Sequence, residues 1–198
     1  MEKIAILGGS FDPVHKGHLL LLQGAGRAAG ADKLFFIPAA DPPHKPDAKL
    51  AAFADRLEMC RLAAREIGAQ VTEIEAKRGG KSYTVDTLRE LREQYPNGRL
   101  LLVCGSDMFL TLQQWRNPEG IFALAEILAV ARAGESDQIM RNQKAFLEKM
   151  GARIRIVSLS IPPWSSTEIR EFLREGKSAA HMLPPAVADY IQAQGLYR

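Results

Sequence analysis

Residues 4–20 start as a short apolar run, Ile4 to Leu7, and stop at Gly8 and Gly9. The chain then turns through Ser10, Phe11, Asp12 and Pro13, presents His15 and His18, and re-enters an apolar run at Leu19 and Leu20. An apolar run without polar alternation reads as a strand covered on both faces, which is the environment of a parallel sheet. Parallel neighbours need long crossovers, usually helices, so this opening points to an α/β fold. A buried strand that ends in a glycine turn and is followed by a helix is also where such folds hold phosphate, because free N–H groups and the helix dipole face the same point.

The remaining chain supports that reading. Further buried strands are expected over 33–37, 70–74, 99–104, 126–131 and 153–157. Helices are expected over 17–29, 50–65 and 83–94, at helical spacing over 139–150, and again over 165–175 and 184–194. Gly30 is placed to end the first of these helices. Residues 38–46 form a proline-stiffened loop, residues 76–81 a basic glycine-broken loop, and Ser82 is the expected cap of the helix that follows. Asn117 and Pro118 are read as a turn. No repeat, low-complexity tract or linker interrupts the pattern. The expected fold is α/β: a single Rossmann-like, doubly wound, mainly parallel sheet of about five to six strands flanked by helices. One domain over residues 1–198 is expected, with a small helical portion from about 165.

Composition excludes more than it selects. With 46% hydrophobic residues the chain can bury a sizeable core, and a net charge of +3 with dispersed acids and bases gives no concentrated basic face for nucleic acid. Cys60 and Cys104 sit in apolar surroundings and read as buried free thiols, outside any disulfide or metal-ligand spacing. No run approaches the length of about 20 apolar residues needed to cross a bilayer, and no signal-peptide pattern is present. A cytoplasmic protein without nucleic-acid or membrane partners is expected.

Two groups of residues could handle anions. Gly8 and Gly9 allow close backbone approach, and His15 and His18 flank the bare Gly17 at the start of a helix. The stretch lacks the lysine of a P-loop and the glycine spacing of a dinucleotide fingerprint. Farther on, Ser165, Ser166 and Thr167 open a helix with hydroxyls and free N–H groups, and Arg170 lies one turn in. Either group could instead be an ordinary turn or cap with solvated side chains.

Read together, Gly9-Ser10-Phe11-Asp12-Pro13, His15, Gly17 and His18 resemble the signature of the H-x-G-H nucleotidyltransferase superfamily. Asp41-Pro42-Pro43-His44-Lys45 resembles the N-P-P-H-K loop of bacterial nicotinate-mononucleotide adenylyltransferases, with Asp41 in place of the commoner asparagine. Three further segments are similar to that family: Ser82-Tyr83-Thr84 with Asp86, Thr87 and Leu88; Gly105 and Asp107 followed by Trp115; and Ser165 to Arg170. Arg132 stands after a strand where the family carries an arginine.

The resemblance implies transfer of AMP from ATP to nicotinate mononucleotide in NAD biosynthesis, with Mg²⁺ on the ATP phosphates and no direct side-chain ligand to it. It implies catalytic roles for His15, His18 and Arg170. ATP would lie against Gly8, Gly9, Ser10, Phe11, His18, Gly105, Asp107, Ser165, Ser166, Thr167 and Arg170. The acceptor would meet His44, Lys45, Ser82, Tyr83, Thr84, Trp115 and Arg132. A monomer or small homo-oligomer is expected. Other acceptors remain open, nicotinamide mononucleotide and phosphopantetheine among them, as does a non-catalytic nucleotide-binding module.

Overall fold

The computed structural model describes residues 1–43, 50–132 and 137–198, with the side chains of Arg132 and Asp137 left out. In chain order the elements are β1 (Lys3–Gly9), α1 (Lys16–Ala29), β2 (Lys33–Pro38), α2 (Phe53–Ile67), β3 (Gln70–Val71), α3 (Ile74–Arg78) and α4 (Thr84–Gln94). Then follow β4 (Arg99–Gly105), α5 (Ser106–Phe109), a 3₁₀ turn (Leu112–Gln114), α6 (Pro118–Leu124) and β5 (Ala125–Arg132). The last elements are α7 (Asp137–Lys149), β6 (Ile154–Leu159), α8 (Ser166–Arg174) and α9 (Pro185–Gln194).

All six strands are parallel, in the order β3-β2-β1-β4-β5-β6, which is the doubly wound arrangement expected. Successive residues of β1 serve opposite faces: Ala5 and Leu7 join one core, Ile4 and Ile6 the other. The first core also takes Leu19, Leu22 and Ala25 of α1, Met59 and Cys60 of α2, Ile169 of α8 and Val187 of α9. The second takes Val85 and Leu88 of α4, Phe122 of α6, and Met140 and Leu147 of α7. Two apolar faces explain why β1 and β4 carry no polar alternation. Helix α1 lies close on the sheet: a Cβ at Gly26 would stand 2.4 Å from Leu34 Cδ2. Burial pushes the Cys60 thiol up, and the Cys104 thiol up to about 12, so both stay protonated at neutral pH. Among the described residues no helix is long and apolar enough to cross a membrane.

Five local expectations are corrected. Strand β1 runs through both glycines to Gly9, and the turn is made by Phe11, at φ 48°, with Pro13 behind a cis bond. The third strand ends at Val71 rather than 74. Pairing with β2 stops at Phe36↔Val71, the Thr72 N–H donates to the Phe36 carbonyl at 3.2 Å, and a short helix then buries Ile74 and Glu75. That helix, α3, absorbs Lys77 and Arg78 from the expected basic loop. Ser82 does not cap α4: Tyr83 holds the cap position, and the Ser82 hydroxyl accepts from Asp41 N–H at 3.1 Å. Asn117-Pro118 begins a helix, α6, with the Asn117 side chain accepting from Gly120 N–H at 3.1 Å and Pro118 in the first turn.

Candidate active site

The chain order of the sheet reverses between β1 and β4, and crevices in such sheets open at the carboxyl ends of the strands flanking that reversal. Register shows why one opens here. The β1–β4 ladder ends at Ile6↔Leu102, although β1 continues to Gly9 and β4 to Gly105. The two strand ends part beyond that pair. The resulting cleft has a volume of about 410 Å³, and its floor includes Gly8, Gly9, Val103, Cys104 and Gly105.

At one end of the cleft, His15 caps α1 and His18 lies one turn in. The His15 N–H donates to His18 Nδ1 at 3.2 Å, and the two rings stack with centroids 3.8 Å apart. His15 is only 5% exposed. Phe11 lies beneath the pair, edge-on to His18 at 5.0 Å and to Phe36 at 5.3 Å, and packs in the core rather than on the cleft wall. Helix α8 begins against the same turn. Ser165 accepts from Glu168 N–H at 3.1 Å, and the Ser166 hydroxyl donates to the Pro13 carbonyl at 2.9 Å. Ser165, Ser166 and Thr167 therefore line the cleft beside His15, His18 and Ser10. Two helix N-termini converge there; the first turn of α1 carries no acidic side chain and that of α8 carries Glu168, and the free N–H groups of both favour an anion.

Arg170 is set back from the cleft lining. Its Nη1 donates to the Asp12 carbonyl at 2.7 Å, stands 3.8 Å from Asp12 Oδ2, and its Nη2 donates to Thr167 Oγ1 at 3.3 Å. Asp107 and Gly105 sit at the end of β4 on the cleft, with the Ser106 hydroxyl donating to Asp107 Oδ1 at 3.2 Å.

The other end of the cleft is lined by Ser82, Tyr83, Thr84 and the half-buried Trp115. Thr84 is the first residue of α4, so free N–H groups face this end too. His44 and Lys45, expected at the acceptor, lie outside the described residues, as does the side chain of Arg132. Arg116 and Glu75 also line the cleft, and Arg56 is buried outside its lining; none of the three stands in a motif. Arg116 carries its guanidinium 4.4 Å from the Tyr83 ring centroid. Glu75, 6% exposed, accepts from the Thr87 hydroxyl at 2.7 Å, and burial pushes its carboxyl above the usual range. Arg56, 2% exposed, donates to the carbonyls of Ser10 (2.8 Å), Ala39 (2.7 Å), Ala40 (3.4 Å) and Ala51 (3.1 Å). Its burial lowers its pKa, while the nearby Asp12 carboxylate opposes that shift. A signal for Arg56 was present: it occupies the apolar stripe of α2, three residues after Phe53 and four before Cys60. Among the described residues no three His, Cys, Asp or Glu side chains gather as a metal site.

A family profile described as Cytidylyltransferase-like matches residues 6–172. A relative in Desulfitobacterium hafniense (strain Y51), named "Probable nicotinate-nucleotide adenylyltransferase", is 36% identical over 203 residues, covering 100% of this chain and 96% of that protein. One of the same name in Synechococcus sp. is 37% identical over 199 residues, covering 99% and 97%. Among solved structures, the nicotinic acid mononucleotide adenylyltransferase of Plasmodium falciparum complexed with NaAD superposes with a TM-score of 0.78 at 20% identity, covering 100% and 98%, a likeness of fold. By sequence the chain belongs to the cytidylyltransferase-like family and, within it, to the relatives that carry the name nicotinate-nucleotide adenylyltransferase.

Proposed function

We propose that the protein transfers AMP from ATP to nicotinate mononucleotide, releasing pyrophosphate and forming nicotinate adenine dinucleotide. The observation that carries this reading is one cleft with an anion-favouring helix start at each end. The starts of α1 and α8 meet at the His15–His18 end, and α4 begins beside Trp115 at the other. Such a cleft suits two phosphate-bearing substrates placed head to head.

The acceptor 5′-phosphate is already ionised, so no side chain needs to remove a proton from it. It attacks the α-phosphorus of ATP in line, and pyrophosphate leaves. What the reaction requires is alignment of two polyanions and donors on the departing charge. His15, His18, the N–H groups and hydroxyls of Ser165 to Thr167, and Arg170 supply those donors. Mg²⁺ suits the phosphate oxygens of ATP, where it would neutralise charge. Asp107 is a carboxylate on the cleft next to the nucleotide side. At the acceptor end, Trp115 offers an aromatic face to a cationic pyridine ring. The free N–H groups in the first turn of α4, beginning with Thr84, and the Thr84 hydroxyl match a nicotinate carboxylate in charge and in hydrogen bonding, and an amide less well.

The test is pyrophosphate release from ATP with nicotinate mononucleotide, nicotinamide mononucleotide and phosphopantetheine as acceptors. Turnover should be dominated by the nicotinate compound. Equal use of the nicotinamide compound refutes the argument from α4, and no turnover with any acceptor refutes the reaction. His18→Ala should lose about 10²- to 10³-fold in kcat while folding normally; near-normal turnover removes His18 from the mechanism.

A further inference from the structure

We propose that Tyr197 is a positioning residue for the ATP half of the site: its hydroxyl fixes the Asp12 carboxylate, and Asp12 fixes the guanidinium of Arg170 at the start of α8. The inference rests on the phosphate-binding role proposed for Arg170.

Each link is a close contact between residues distant in sequence. Tyr197 Oη donates to Asp12 Oδ1 at 2.7 Å, and the Ala51 N–H donates to the same oxygen at 3.1 Å. With Oδ1 held from two directions, the plane of the carboxyl is set. Oδ2, buried, then faces Arg170 Nη1 at 3.8 Å, while the Asp12 carbonyl accepts from that same nitrogen at 2.7 Å. Asp12 is 1% exposed, so little water competes for either oxygen. Burial and the bond to Asp12 push the Tyr197 hydroxyl well above the usual tyrosine range, which keeps it a donor.

The backbone of Tyr197 adds a second, independent sign. It sits at φ 63°, in the left-handed region that an aromatic residue rarely adopts. A strained conformation persists where surrounding contacts over-determine it. Here those contacts include the Asp12 bond and packing against the core that α2 and α9 share. A surface tyrosine filling space would need neither the strained backbone nor an aimed hydroxyl. The arrangement holds together three places: the turn after β1, the second turn of α8 and the segment following α9. None of the Tyr197 atoms reaches the cleft lining, so its effect on substrate runs through Asp12 and Arg170.

The experiment is a double-mutant cycle on ATP affinity, read by titration calorimetry with Mg²⁺ present, using Tyr197→Phe, Arg170→Ala and the pair. Tyr197→Phe should raise the ATP Kd about tenfold, as befits a hydrogen bond to a charged group, and leave the acceptor KM within about twofold. In the Arg170→Ala background the same change should move the ATP Kd less than about twofold, because its target is gone. Equal losses in both backgrounds mean that Tyr197 merely supports the fold, and overturn the proposal. Wild-type ATP affinity in Tyr197→Phe also overturns it, without touching the proposed function. Wild-type ATP affinity in Arg170→Ala overturns the role given to Arg170 and this inference with it. Should Tyr197→Phe melt below the assay temperature, the cycle is run below its Tm, and Asp12→Asn, which keeps the acceptor oxygen for Tyr197 and removes the charge facing Arg170, tests the second link separately: an unchanged ATP Kd in Asp12→Asn also overturns the proposal.

Discussion

Gly17→Ala separates the histidine pair from the fold that carries it. Gly17 is the second residue of α1, and a Cβ there would stand 2.9 Å from both Cε1 and Nδ1 of His15. An unstrained carbon contact is about 3.5–4.0 Å, so the ring has to move by about 0.6–1 Å. The ring stacks on His18 at 3.8 Å and lines the cleft, so any such shift disturbs the stacking or carries the ring into the cleft. Misplacing a catalytic group by about 1 Å costs about 10²-fold. Stability changes far less, because the helix gain of about 0.8–1.0 kcal/mol from Gly to Ala offsets an overlap cost of about 1–3 kcal/mol. The expected outcome is a kcat about 10²-fold lower in steady-state pyrophosphate release, with Tm lowered by no more than about 8 °C. Gly24→Ala is the matched control. Its Cβ would meet Leu159 Cδ1 at 2.6 Å on the same helix, away from the histidines, so Tm should fall while kcat holds. A Gly17→Ala enzyme with kcat within about threefold of wild type would refute the claim that the His15 ring position matters.

Arg56→Met removes a buried charge that four carbonyls and Asp12 surround, and should cost about 3–5 kcal/mol in urea unfolding, or roughly 10 °C in Tm; a loss below about 1 kcal/mol contradicts the buried-staple account. Glu75 has its carboxyl pKa raised by burial, against opposing hydrogen bonds from Thr87 and Ser82 and the Arg78 charge, and with Glu90 adding to the rise. The folded state therefore holds the proton more tightly than the unfolded chain does. Its contribution is present in full below the ordinary value of about 4.5 and is lost as pH climbs through the raised folded value. Relative to wild type, Glu75→Gln should gain in unfolding free energy as pH rises from 4.5; a difference independent of pH refutes the assignment.

The layers of the fold were legible because their signal is local. Unalternating strands and glycine stops identify a parallel sheet without knowledge of partners. The misreadings fall where a partner decides. Residues 70–74 have the composition of a strand, but pairing with β2 ends at Val71, and Ile74 begins a short helix whose Glu75 meets Thr87 of α4. Ser82 has the chemistry of a cap, yet Asp41 competes for its hydroxyl, and Asp41 is forty-one residues away. Asn117-Pro118 satisfies the rules for a turn and for a helix cap alike, and the structure uses it as the cap of α6. The cleft residues divide in the same way. His15, His18 and Ser165 to Thr167 stand in compact motifs and meet in space, joined by the Ser166 bond to Pro13. Arg116 and Glu75 carry no motif, and only proximity to Tyr83 and Thr87 brings them to the cleft.

Arg56 shows why part of such a site stays silent in a sequence. Its partners are the carbonyls of Ser10, Ala39, Ala40 and Ala51, and every residue has a carbonyl. Three of the four positions are alanines, so no side chain marks them as belonging together. The buried guanidinium offers five N–H donors in a fixed fork and joins the turn after β1, the end of β2 and the approach to α2. That places the turn after β1 and the segment following β2 on one rigid frame. Lysine keeps the charge but has one nitrogen, which cannot reach carbonyls spread over three segments. The demands are thus asymmetric: the contacts use only the backbone of residues 39, 40 and 51, while at residue 56 they use the side chain itself. Chemistry-bearing groups are recognisable by type, but the frame that aims them is written in backbone atoms and in a single arginine on an apolar face.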